Sequence, residues 1–388
     1  MGCDAEPSCG AGDCNSCGVT SCDMGCDGGC DSGCNSGCGG GLFDCDLGDP
    51  FALFGEACGY AAGGWVQMGY HDKAIPLFNS RPDEYQLHQA WFWAEKTMDT
   101  SCGFDWGARI DYIYGTDSQD TQAFGINNDH WDNGWDNGSD YGHAIPQLYM
   151  EMGYGDWTIK AGHFYTIIGW EVVTAPDNFF YSHAYTMYNS EPFTHTGALA
   201  TLSVSEDLEV YGGWVLGWDS GFEDNGDAFL GGASLAVSED INLIYATVAG
   251  RFADNLGGNE RGYMHSIVAD VAVTDSLQYI FQSDYLDTQD ASGAGVRNTI
   301  GINQYLIYTM SDCLAAGARM EWYNEDGVFN TFGNENDIYA LTLGLNVKPH
   351  ANLIVRPEVR FDWDDNSVLG LEGGDDQTTF GIDTIFLF

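Results

Sequence analysis

Arg109 and Asp111, Arg319 and Glu321, and Arg356, Glu358 and Arg360 stand two residues apart within stretches that alternate polar with apolar. Residues two apart on an extended strand share a face, so each group sets guanidinium beside carboxylate on one side of a sheet. Lys160 falls on an equivalent face, and so do Glu151, Asp270 and Asp284. Charges so arranged can orient water and charged solutes along a hydrated passage, or hold neighbouring strands in register. They are poorly suited to bond-making chemistry. His163, His183, His195 and His265 are scattered, and no Gly-x-Ser-x-Gly, His-Glu-x-x-His or phosphate-binding loop accompanies them. No catalytic role and no cofactor are expected.

The elements that position these charges are strands. Short turns recur as VSEDLE at 204–209, VSEDIN at 237–242, VTDSL at 273–277 and SDCL at 311–314, with Asp207, Asp240, Asp275 and Asp312 at intervals of 33, 35 and 37 residues. Two strands of about ten residues with one short and one longer connection fill that period. Laid out between these marks, the chain gives sixteen strands: about 61–72, 85–98, 103–115, 145–154, 157–165, 195–204, 208–217, 228–238, 241–252, 262–273, 276–286, 297–309, 313–324, 338–348, 351–362 and 378–388. Seven short and eight longer connections alternate, which puts both chain ends on the short-turn side. Pro357 cannot donate a ladder hydrogen bond, so a bulge is expected there.

In 103–115, Trp106, Ala108, Ile110, Tyr112 and Tyr114 lie opposite Asp105, Gly107, Arg109 and Asp111. The last strand carries Phe380, Ile382, Thr384, Phe386 and Phe388 on one face, an end that would be sticky in water but suits a barrel closing in lipid. No run approaches the roughly 20 apolar residues of a membrane helix. The fold class expected is all-β: a transmembrane antiparallel β-barrel of about 16 strands.

Two connections stand out. Residues 117–143 carry Asp129, Asp132, Asp136 and Asp140 among Asn and Gly, without Lys or Arg. These read as a solvated acidic loop, with calcium as the cation that such oxygens could bind. Residues 166–193, TIIGWEVVTAPDNFFYSHAYTMYNSEPF, are too apolar to extend into water. Folded into the lumen they would narrow it, carrying Glu171, Asp177, Phe179, Phe180, Tyr181 and Glu191 toward the arginines; packing on the rim is the alternative.

With 58 acidic residues against 12 basic ones, net charge −46, the chain is unsuited to nucleic acid. It favours cations, or simply a solvated acidic surface. Eleven of thirteen cysteines lie in the first 58 residues, every fourth residue from Cys22 to Cys38. Disulfides, bound metal or disorder would each account for so coreless a segment, disulfides first in an exported protein. The start, MGCDAEPSC, lacks the basic stretch and apolar core of a secretory signal and reads as a mature or trimmed form. Residues 1–58 are thus expected to be a Cys/Gly-rich extension, and 59–388 the barrel.

EVVTAPDNFFYSHAYTMYNSEPFTHTG at 171–197, GGWVQMGYH at 63–71, YGTDSQDTQAFG at 114–125, DLGDPFALF at 46–54 and GHFYTIIG at 162–169 resemble the planctomycete members of the OmpL-like β-barrel porin-2 family. The likeness spans about 46–388. It implies an outer-membrane porin, in contact with membrane lipid and passing small hydrophilic solutes, with a periplasmic N-terminal extension. It brings no catalytic or binding residues to transfer. A homo-oligomer is expected, a trimer favoured. The competing expectation is a structural envelope protein whose cysteines cross-link protomers.

Overall fold

Alternation of inward and outward side chains over strands of 8 to 17 residues builds one continuous antiparallel sheet. The computed structural model describes residues 45, 47–57, 59–75, 78–123, 130–222, 228–252 and 260–388. The sixteen long strands are β1 (Tyr60–His71), β2 (Gln86–Lys96), β3 (Asp105–Gly115), β4 (Tyr141–Tyr154), β5 (Trp157–Tyr165), β6 (Thr194–Ser205), β7 (Leu208–Val215) and β8 (Ala228–Ser238), followed by β9 (Ile241–Arg251), β10 (Arg261–Thr274), β11 (Leu277–Gln289), β12 (Gly295–Ser311), β13 (Leu314–Asp326), β14 (Asn336–His350), β15 (Leu353–Asp364) and β16 (Asp376–Leu387). A two-residue strand, Asp136–Asn137, edges onto β4. The barrel closes where β1 pairs with β16, from Trp65↔Leu387 to His71↔Gly381.

Connections alternate between two rims, nearly all of those on one rim being shorter than those on the other, and β1 begins on the short-turn rim where β16 ends. All but one of the short connections, 97–104, have two residues, and the Ser-Glu-Asp and Asp-Ser turns occupy them. Outward positions are apolar: Met320 is 58% exposed and Leu343 47%, while Arg319 and Glu321 beside them are buried. That is the pattern of a wall with hydrocarbon outside.

Two local expectations are corrected. The register passes Pro357 without a shift, from Gly344↔Glu358 to Val347↔Val355, and the irregularity falls at Val347/His350 instead. The ladder omits the pairs between those two, which removes the need for a bulge at a residue that cannot donate. The fourth strand starts at Tyr141 rather than near 145, with the register slipping between Asp111/Ile113 opposite Pro146. Proline is accommodated there by the bulge.

The inward face is not uniformly polar. Leu199, Val215, Leu230, Val248, Met264 and Leu286 of β6–β11 pack with Phe164, Ile168, Trp218 and Phe252 into an apolar cluster inside the barrel. At the short-turn rim, Cys45 is disulfide-bonded to Cys313. Beyond it, Ala351 N–H donates to Leu47 O (3.0 Å), and Asn352 brackets Phe51 with two hydrogen bonds of 2.6 Å. The nine cysteines from Cys3 to Cys38, and Cys58, lie outside the described residues.

Candidate functional site: a folded loop inside the barrel

Between β5 and β6, residues 166–193 turn into the barrel through a 3-10 turn at Ala175–Asp177 and a short helix at Tyr185–Ser190. Wall glycines make room for the loop. A methyl group on Gly69 would come within 2.5 Å of Tyr181 Oη, and one on Gly344 or Gly381 within 3.0 Å of Phe180 or Tyr181. At Gly301 it would collide with Thr186, and at Gly317 with Phe179. Five inward glycines on β1, β12, β13, β14 and β16 thus form sockets, because a bare backbone lets a ring lie directly on the sheet.

Charges then fasten the loop between the sockets. Arg319 donates through Nη1 to Glu171 Oε1 (2.7 Å) and Ser182 O (2.6 Å), and through Nε to Glu321 (2.8 Å). Arg356 donates to Ala175 O (2.8 Å) and Asn178 O (2.7 Å) while its other face grips Asp383. Arg360 donates to His183 O (2.8 Å) and Asp362 (2.7 Å). Carboxylates answer from the wall: Glu358 accepts Tyr181 N–H (2.9 Å) and Ser182 N–H (3.0 Å), and Glu321 accepts Tyr185 N–H (2.9 Å). Arg319, Arg356, Arg360 and Glu321 are ion-paired and Glu358 holds two backbone amides, the condition under which such a network keeps its parts in one geometry.

Glu171 also accepts from His183 (3.1 Å), Ala184 N–H (2.9 Å) and Tyr305 Oη (3.0 Å). Burial opposes its ionisation, but Arg319, His183 and the Ala184 amide outweigh burial and hold it at about 2. The other loop residues named from the sequence divide as follows. Phe180 lies under the Arg319 guanidinium (5.2 Å), and Phe179 lies edge-on to Phe180. Glu191 is buried against Gln282 of β11 (2.5 Å). Asp177 is exposed, accepting from Thr174 Oγ1 (2.6 Å).

The charged wall therefore falls into two groups. Arg319, Glu321, Arg356, Glu358 and Arg360 lie at 0–5% exposure under the loop. Arg109 and Lys160 stand on β3 and β5, away from those sockets. Arg109 keeps 24% side-chain exposure, bonded to Asp111 (2.7 Å) and Glu95 (3.0 Å) over the Trp93 ring. Lys160, half-buried, sits 4.4 Å over Tyr149, opposite Glu151 in the ladder.

Sequence reasoning missed one chain of contacts: Tyr181 Oη bonds His88 Nε2 (2.6 Å), and His88 Nδ1 bonds Asp117 (2.8 Å). His88 is the extra residue of the β1–β2 bulge, which hides its inward direction from a period-two reading. In the acidic loop, Asp132 accepts the amides of Ala123 and Ile145, Asp136 accepts from Gln122, and Asp140 pairs with Arg81. Asp129 lies outside the described residues. Among the described residues no group of His, Cys, Asp and Glu is arranged to hold a metal.

A family model described as "Putative beta-barrel porin-2, OmpL-like" matches residues 59–388. The chain belongs to this porin family. It is an outer-membrane protein, and its activity is passive diffusion of small hydrophilic solutes or ions. Among solved structures, the porin's fold is similar to an anion-selective porin from Comamonas acidovorans, with TM-score 0.60, 9% identity, and coverage of 85% of this chain and 99% of that one. The outer-membrane channel DcaP of Acinetobacter baumannii is similar at TM-score 0.56 and 10% identity, covering 87% and 100%. OmpT of Vibrio cholerae, in its trimer form, is similar at 0.54 and 11%, covering 85% and 99%. At these identities the likeness is one of fold. No curated protein sequence matches the chain.

Proposed function

We propose that solutes cross this porin through a lumen narrowed by the 166–193 loop, past a wall where Arg109, Lys160, Glu95 and Glu151 meet the water. The observation that carries this reading is the loop itself, seated on five wall glycines and fastened by Arg319, Arg356 and Arg360. Glu95, Arg109, Glu151 and Lys160 stand on successive strands β2–β5, so acid and base alternate around that wall and orient passing dipoles. The net charge of −46 favours cations at the mouths, with Arg109 and Lys160 acting against them locally. Catalysis has no part in this reading. Liposome swelling with sugars of increasing size tests it: a sharp size cut-off supports a constricted pore, and no swelling with any solute refutes it.

In this reading the short-turn rim faces the periplasm, and residues 1–58 form an extension there. The porin assembles as a homotrimer. The outer wall of β1–β5 supports this, since Ala62, Ala94, Ala108 and Ala161 floor a shallow apolar groove between Trp106, Leu148 and Met150 that a neighbouring wall can fill. A structural envelope role is the second reading, favoured by the Cys45–Cys313 bond that staples the Cys-rich end to the barrel. A ladder on a non-reducing gel that collapses with reductant would support cross-linking, and a single species without reductant would exclude it.

A further inference from the structure

At the exit of the loop, two carboxylates converge on one amide. Gln282 Nε2 donates to Glu191 Oε1 (2.5 Å) and to Asp284 Oδ2 (2.7 Å). Glu191 belongs to the loop and is 3% exposed; Asp284 belongs to β11 and is 1% exposed. Asp284 Oδ1 has no hydrogen-bond partner among the described residues. Gly169 lies against Glu191 Oε2 so closely that any side chain there would displace it. The remaining groups around the pair are Ser266 of β10, Glu171 of the loop and Tyr305 of β12. Glu171 is already bound to Arg319, and no basic side chain among the described residues pairs with either Glu191 or Asp284.

Glu171, Glu321, Glu358, Asp362 and Asp383 each meet an arginine or a backbone amide. Here two carboxyl groups share a buried site with one amide bridging them, and charge on both at once is disfavoured. We propose that Glu191 and Asp284 form a proton-controlled latch that holds the loop across the lumen at acid pH and releases its exit as pH rises. The latch rests on the constricted-pore reading and adds regulation to it.

The direction follows from where the proton is held. Burial pushes Glu191 well above its ordinary 4.5, and the Asp284 charge adds to this. A loop swung into water would return Glu191 to the ordinary value, so the docked state holds the extra proton. The contribution of Glu191 to docking is full below about pH 4.5 and weakens as pH rises toward the docked value.

Single-channel conductance in planar bilayers, followed from about pH 5 to about pH 9, tests the latch. Four proteins are needed: the porin, Glu191→Gln, Asp284→Asn, and Ser190→Cys/Thr299→Cys, which replaces two hydroxyls 2.7 Å apart and locks the loop to β12. The porin's conductance should rise by roughly twofold or more across the range. The Gln and Asn variants should stay at the acid level throughout. The locked variant should also stay flat and regain the rise with reductant. A flat profile in the unaltered porin, or an undiminished rise in Glu191→Gln and Asp284→Asn, overturns the latch while leaving the pore intact. Absence of channels at every pH overturns the constricted pore and the latch with it.

Discussion

Arg319 Nη1 donates to Glu171 Oε1 over 2.7 Å, tying β13 to a loop 148 residues earlier in the chain. The same guanidinium reaches Ser182 and Glu321, so one wall side chain fixes both ends of the loop's aromatic tip. Arg319→Met should leave Glu171 without its arginine and Glu321 with Arg360 alone, and so loosen the docked loop. Breaking one partner of a buried network costs about 3–5 kcal/mol. The expected outcome is a larger and noisier conductance in a barrel that still resists SDS unboiled. Unchanged conductance would assign the contact to the wall alone.

Gly317→Val should displace Phe179 from its socket at a cost of about 1–3 kcal/mol. Gly212→Ala serves as the control, because nothing lies within 4 Å of the added methyl. Conductance is expected to change in the first and not in the second; equal behaviour would remove the socket from the account.

Met320 faces hydrocarbon near the middle of β13, one position from Arg319. Met320→Arg should destabilise the inserted barrel by about 2–4 kcal/mol, measured by urea unfolding in lipid vesicles. A neutral effect would mean that the outward face has been misassigned.

Glu171 and Glu191 make opposite demands on pH. Glu171 is held at about 2, below its ordinary 4.5, so it contributes to docking above 4.5 and loses that contribution as pH falls through 2. Loop docking should therefore survive at pH 4 and fail near pH 2, seen as a second opening on the acid side. Glu171→Gln should abolish that acid transition and leave the alkaline one in place.

Much of this was legible in the residues. The Asp207, Asp240, Asp275 and Asp312 turns set the strand count, and spacing of two set the inward side for Arg319 and Arg360. What could not be read is how deeply those charges are covered. Arg319 and Arg360 are 0% exposed because rings from residues 179–181 settle on Gly317, Gly344 and Gly381. In sequence those glycines look only like weak points in strands. The Arg356–Asp383 pair likewise depends on cross-strand register between β15 and β16. Tyr141–Ala144 escaped notice because the nearby Pro146 reads as a strand boundary.

Whether the loop narrows the passage is decided by removing residues 172–189 and recording single channels in planar bilayers. The deletion takes out the rings of Phe179, Phe180, Tyr181, Tyr185 and Tyr188 while leaving all sixteen strands in place. A marked rise in conductance, from a variant that still runs as a folded barrel on an unboiled gel, is the predicted result. An unchanged conductance in that folded variant would contradict it and make the loop a packing element beside the path.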